Sequence, residues 1–136
     1  MLVVAELISF PDPESVVVSF LTARNVSGSF AGVKAFTEVP NPRPVEFVRV
    51  LLLGGYQANL VTDVPRLAVE AFANTKARAQ ALAAKCRQDI DAAARDGVMG
   101  SATLHRVNVV SRPQNLPDPA TAQYRYTATY ELSLRV

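Results

Sequence analysis

The sequence predicts an α+β fold: one sheet of about five strands, mostly antiparallel or mixed, with two helices packed on one face in the order α-β-β-β-α-β-β. Three observations carry this expectation. Leu67 to Ala73 has strand character and stops at Asn74-Thr75, a helix-capping position that opens an Ala-, Lys- and Arg-rich stretch of helical period to Asp96. The C-terminal run Gln123 to Val136 alternates strictly. Tyr124, Tyr126, Ala128, Tyr130, Leu132, Leu134 and Val136 share one side, and Arg125, Thr127, Thr129, Glu131, Ser133 and Arg135 the other. Asp12-Pro13-Glu14 has the order of a helix start: a cap, a proline whose missing N–H costs nothing there, and an acid in the first turn.

Taken in chain order, the first helix is expected to run from Asp12-Pro13 to about Arg24, with Val17, Phe20, Leu21 and Arg24 at helical spacing. Its Val16-Val17-Val18 run forms helix poorly and needs packing to hold it. Asn25 to Gly32 is a loop, and Val33 to Phe36 a short strand. Val39 to Pro44 carries three prolines and cannot be regular. Val45 to Leu53, apolar except for Glu46 and Arg49, predicts a central strand. Gly54-Gly55 reads as a hairpin turn, and Asn59 to Ala73 as the returning strand, with Pro65 marking a bulge or an edge. The second helix spans Thr75 to Asp96, with an apolar stripe of Ala79, Leu82, Cys86, Ile90 and Ala93. It is stopped at Gly97 and supported by an Asp91–Arg95 pair. After a loop from Gly97 to Thr103, Leu104 to Ser111 alternates as a strand. Arg112 to Ala120, with three prolines, is an irregular connection.

The whole chain, residues 1–136, is expected to form one domain around one core. Hydrophobic residues make up 49% and charged residues 19%, a globular rather than disordered balance. A net charge of +2 is too small an excess to argue for nucleic-acid binding, which usually shows a concentrated basic face. Cys86 is the only cysteine, which excludes an internal disulfide and a zinc site built of cysteines within one chain. Met1 to Phe10 is apolar around Glu6 but lacks the positive start and cleavage site of a signal peptide. No stretch approaches the roughly 20 apolar residues of a membrane helix, so a soluble, unexported chain is expected.

No constellation predicts catalysis. His105, the only histidine, sits at a strand end, and no Gly-x-Ser-x-Gly nucleophile turn accompanies it. Cys86 falls on the apolar helix stripe and reads as a small packed residue. Asp89, Asp91 and Asp96 point in different directions and lack EF-hand spacing. Asp63 and Glu70 are too far apart along one strand for paired-carboxylate chemistry. All these acids read as solvated charges. Gly54-Gly55 belongs to no phosphate-loop pattern. Tyr124, Tyr126 and Tyr130 share a face with Leu132 and Leu134, which marks core rather than a base-stacking platform. No cofactor or metal is expected. The stretches Phe36 to Pro44 and Arg112 to Ala120 read either as rigid connectors or as partner-contact loops.

The order of these pieces resembles the tail terminator proteins of long-tailed, siphovirus-like bacteriophages, with a lambda tail terminator-like fold. Phe10-Pro11-Asp12-Pro13-Glu14 leads into a helix, and a strand ends in Gly54-Gly55. Val61 to Ala73 gives a charged turn, a strand and an aromatic before Ala. The Ala/Leu/Arg helix follows, then Leu116-Pro117-Asp118-Pro119 and the Arg-aromatic strand Arg125 to Leu132. The apolar Met1 to Ile8 extension departs from the pattern. The resemblance implies a structural protein without active-site residues, assembled as a hexameric ring that caps the tail tube, ends its polymerisation and offers the head-joining surface. The implied partners are other copies of the chain, the tail tube protein and a head-completion or connector protein. No membrane and no specific nucleic-acid contact is implied, although phage DNA would pass through the ring. The place of action would be the tail–neck junction of the virion, reached from the host cytoplasm during assembly. Arg43, Tyr56, Arg112 and Asp118 are the candidate assembly-interface residues. The alternative within the same particle is a head-closure or adaptor protein. Outside it stand a small hydrolase around His105 and a nucleic-acid-binding module.

Overall fold

In the computed structural model of the chain, residues 9–135 are described. The Met1 to Ile8 extension and the inward placement of Val136 fall outside those residues. The side chain of Asp12 accepts from the Glu14 N–H at 3.1 Å and from the Ser15 hydroxyl at 2.9 Å, fixing the start of α1 (Pro13–Arg24). The β-branched run stays helical because Val17 and Leu21 are buried in the core. The loop that follows is folded back on itself. Asn25, buried, donates to the Val33 carbonyl at 2.9 Å, and its own carbonyl accepts from the Gly32 N–H at 2.8 Å.

The sheet is mixed and has six strands in the order β1-β2-β3-β6-β5-β4. Strand β1 (Ala35–Phe36) is shorter than the expected Val33 to Phe36 and runs parallel to Val48–Arg49. Strands β2 (Phe47–Asn59) and β3 (Thr62–Ala73) form a hairpin turning at Leu60-Val61. The expected turn at Gly54-Gly55 is therefore corrected: the two glycines lie inside β2, at a bulge. Between Leu52↔Leu67 and Gly55↔Pro65 the register gains one residue on β2. Glycine is demanded there by close approach. Gly55 has φ +123°, and a Cβ on it would lie 2.2 Å from the Val64 carbonyl oxygen. Pro65 sits opposite, so it marks a bulge on a central strand rather than an edge.

The expectation that Val45 to Leu53 is central is also corrected. Beyond Arg49, β2 has β3 on one side and, among the described residues, no strand on the other. Its apolar run is buried on both faces around Phe47 to Val50, where β1 and β3 also flank it, and is exposed from Leu52 onward. The centre of the sheet is β3 against β6 (Tyr124–Arg135), in unbroken antiparallel register from Thr62↔Arg135 to Ala73↔Tyr124.

Helix α2 (Lys76–Asp96) starts where the Thr75 hydroxyl accepts from the Arg78 N–H at 3.3 Å. It ends at Gly97, φ +77°, whose N–H bonds the Ala93 carbonyl at 2.9 Å. The predicted stripe is buried, and its small residues bring the helix close to β3, β5 and β6. Among the described residues the i,i+4 ion pair of this helix is Lys85–Asp89 at 2.8 Å, six residues before the expected Asp91–Arg95. The expected loop after Gly97 holds a small hairpin, β4 (Val98–Met99) with the start of β5 (Ala102–Asn115), which buries Met99.

Strand β5 runs further than expected, through Arg112-Pro113-Gln114-Asn115, because register shifts absorb the proline. The shifts lie at Leu104/Arg106, Val109/Ser111 and Ser111/Gln114, and each adds one residue to β5 against β6. Both helices pack on one face, over Val48, Val50, Leu67, Val69, Tyr130, Leu132 and Leu134. The opposite face carries the expected Arg, Thr and Glu side chains, together with one unexpected aromatic pair.

Candidate functional site

On the polar face, antiparallel register places Phe47 opposite Phe72 and Arg49 opposite Glu70. The two phenyl rings stack with centroids 4.6 Å apart and planes 6° from parallel. The Arg43 guanidinium lies over both, 5.3 Å from Phe47 and 5.0 Å from Phe72. From there a polar clasp spans the two proline-rich stretches. The Arg43 Nε donates to the Gln123 Oε1, and its Nη2 lies 3.7 Å from the Asp118 carboxylate. The Gln123 amide reaches the Pro44 and Val45 carbonyls at 3.0 Å each.

Beneath the clasp, Glu70 is buried, not solvated as its strand position suggested. Its two oxygens accept from Arg49 Nε at 2.6 Å and Arg125 Nη1 at 3.1 Å, while Arg125 Nε donates to the Leu116 carbonyl at 2.7 Å. Three strands and one loop are thus tied through a single carboxylate, whose desolvation is offset by two cations. Asp89 is corrected in the same way. It is buried between Lys85 and Arg24 and joins α2 to the end of α1. A third tie holds the loops near α2: Arg78 donates to both Glu46 oxygens at 2.6 and 2.7 Å and lies 4.1 Å from the Phe30 centroid.

The opposite end of the sheet is unlike this. From Leu52 to Leu60 every residue of the β2–β3 arm is exposed, including Leu52, Leu53, Tyr56 and Leu60, the last at 78%. Tyr56 pairs with Val64 and overhangs a shallow depression of about 370 Å³ that also touches His105, Arg106, Ser133 and Arg135. At its margin Glu131 accepts from Asn108 and from Arg66, each at 3.0 Å, and these bonds hold its carboxyl below the ordinary value.

The structure therefore brings Arg43 and Asp118 together and separates them from Tyr56, at the far end of the sheet. Arg112 is exposed on β5 beside the Ser111/Gln114 shift. The sequence did not point to Gln123, Glu70 or the Phe47–Phe72 pair. The signal available was parity: Phe47 and Arg49 share a face, as do Glu70 and Phe72, and a hairpin between them puts aromatic on aromatic and cation on anion.

The groups with chemical potential are arranged as follows. Cys86 is buried, and burial pushes its thiol up to about 12, far from a thiolate nucleophile. His105 is exposed at the first β5 bulge. Among the described residues, no three His, Cys, Asp or Glu side chains are grouped to hold a metal ion, and no helix is long and apolar enough to cross a membrane. In comparisons with known proteins, neither a family model nor a curated protein matches the chain.

Proposed function

We propose that the chain is a tail terminator of a long-tailed bacteriophage: a non-catalytic structural protein that forms a closed ring of six, caps the tail tube, ends its polymerisation and presents the head-joining surface. The observation that carries this reading is the β2–β3 arm. Natural monomers seldom leave so many large apolar side chains on a hydrogen-bonded hairpin without a partner. The order of motifs from Phe10 to Leu132 supplies the kind of partner. A heterologous contact, arm of one copy against a different patch of the next, closes a ring by rotation. Other copies, the tail tube protein and a head-completion protein are the partners in this reading. The tail–neck junction is the place of action.

The clasp has a defined part in it. Arg43 and Asp118 fix the shape of the loop end of the sheet, while Tyr56 and Arg112, on exposed positions, meet neighbours. The test is tube polymerisation with the purified chain added. Rings on tube ends, six copies by native mass spectrometry, and tubes of limited length are expected. Tubes that grow past the added protein without end rings refute the proposal. Tails isolated without heads separate the alternatives, since a terminator stays on the tube and a head-closure protein does not.

A further inference from the structure

The helix-free face of the sheet carries more arginines than carboxylates. Five rise from its strands, Arg49, Arg66, Arg106, Arg125 and Arg135, against two acids, Glu70 and Glu131. Both acids are already engaged. Glu70 holds Arg49 and Arg125, and the two oxygens of Glu131 accept from Arg66 and Asn108. The surplus falls at one end, where Arg106 and Arg135 line the depression under Tyr56. Among the described residues no Asp or Glu lines it.

Register builds this corner. Arg106 pairs with Ser133 across β5 and β6. Arg135, two residues further along β6, pairs with Thr103 on one side and Thr62 on the other. Cross-strand partners and i,i+2 neighbours share a face, so two guanidinium groups stand around the Ser133 hydroxyl, with Thr62 beside it. The first β5 bulge adds to the crowding. A plain ladder would place one residue on this face between the core-side Leu104 and Val107. The shift at Leu104/Arg106 places two, His105 and Arg106, and both line the depression.

Two guanidinium groups beside one hydroxyl repel each other, and an anion between them turns that repulsion into attraction to both. Their planar donor forks, with hydroxyls next to them, match the oxygens of a tetrahedral phosphate. The depression, about 370 Å³, has room for a phosphate group and part of a molecule that carries it. We propose that this corner binds a phosphate group, free or as a monoester, between Arg106 and Arg135. The Ser133 and Thr62 hydroxyls donate to its oxygens, His105 stands at the rim, and Tyr56 walls the side on which the rest of an ester lies. The inference does not depend on the ring.

NMR titration of the full chain at constant ionic strength tests it, with inorganic phosphate and adenosine monophosphate as probes and sodium chloride as the blank. Saturable shifts of the Arg106, Ser133 and Arg135 amides are expected with a phosphate probe, and the tighter of the two distinguishes a free phosphate from an ester. Arg106→Ala with Arg135→Ala should weaken binding at least ~10-fold. Lys34→Ala with Lys76→Ala removes the same charge elsewhere and should leave binding unchanged. All four side chains are exposed, so the remaining amide signals should keep their positions in both variants. The proposal fails if neither probe saturates, if chloride gives the same shifts, if binding survives the arginine changes, or if the lysine changes weaken it equally. Binding of a short thymidine oligonucleotide without saturation by either small phosphate assigns the cations to a polymer backbone and also overturns it.

Discussion

Gly55 is held to glycine by its neighbours across the ladder, and Gly54 only by its own backbone. Both have positive φ, but a Cβ at Gly54 meets nothing within 4 Å while one at Gly55 strikes the β3 backbone. Gly54→Ala should therefore cost about 1 kcal/mol and Gly55→Ala about 3 kcal/mol or more, read from urea unfolding midpoints. Reading the pair as a turn mistook why glycine was needed: a turn asks for φ, a bulge also for room. A second residue-scale property is alkaline sensitivity. Burial raises the Cys86 thiol from 9.0 to about 12, and burial likewise raises the Tyr130 phenol. A group raised in the folded state favours folding below its unfolded value and loses that contribution as pH climbs toward the folded one. Stability should hold to about pH 9 and then fall toward pH 12, by up to about 1.4 kcal/mol per pH unit for the thiol. Cys86→Ala should flatten that slope in unfolding experiments at pH 8, 9 and 10. No described group hydrogen-bonds the buried Tyr130 hydroxyl, so Tyr130→Phe should be at least as stable as the parent at pH 7.

At the level of elements, the two charged sites on the polar face differ in depth. Glu70 ties β2, β3 and β6 from a buried position, whereas Arg66, the partner of Glu131, is 45% exposed. Glu70→Gln should destabilise by about 3 kcal/mol, because two guanidinium groups lose their counter-charge. Glu131→Gln should be the milder change of the two in the same unfolding assay. The sequence concealed Glu70 because its partners stand 21 and 55 residues away, brought together only by register. Elements whose signals are local were legible: both helices with their caps, the strand β6 and the bulge at Pro65. One bulge left a mark that went unread. Leu104 and Val107 both pack on the core side although they are three apart, a spacing regular alternation forbids. The clasp was half legible. Three prolines predicted that Val39 to Pro44 is irregular, but not that Arg43 would stack over the Phe47–Phe72 pair and meet Gln123.

For the whole molecule, the polar face joins a tied end to an exposed one. Tyr56→Ser with Leu60→Asp should leave the monomer within about 0.5 kcal/mol of the parent, since neither side chain is buried. On the proposed ring assembly, the same pair should abolish rings in light scattering and in negative-stain images. The α+β class with two helices on one face was legible because amphipathic period needs only neighbours in sequence. Strand order was not, and β2 lies next to the short β1 rather than at the centre, because apolar patterning reports coverage and not which element provides it. The strand lengths carry a further consequence. The inner pair β3 and β6 has 12 residues each, while the outer strands β2 and β5 have 13 and 14. Like the outer lanes of a curved track, the outer strands take the longer path, and every extra residue sits at a register shift. Change of chain length is thereby confined to the flanks. Deleting His105 turns its bulge into plain ladder and keeps Leu104 and Val107 on the core side. Deleting Asn108 turns Val107 and Val109 to opposite faces. In the inner pair there is no spare residue, so a single insertion there turns half a strand inside out. Descent can lengthen or shorten this fold from the outside, one residue at a time, while its middle keeps count.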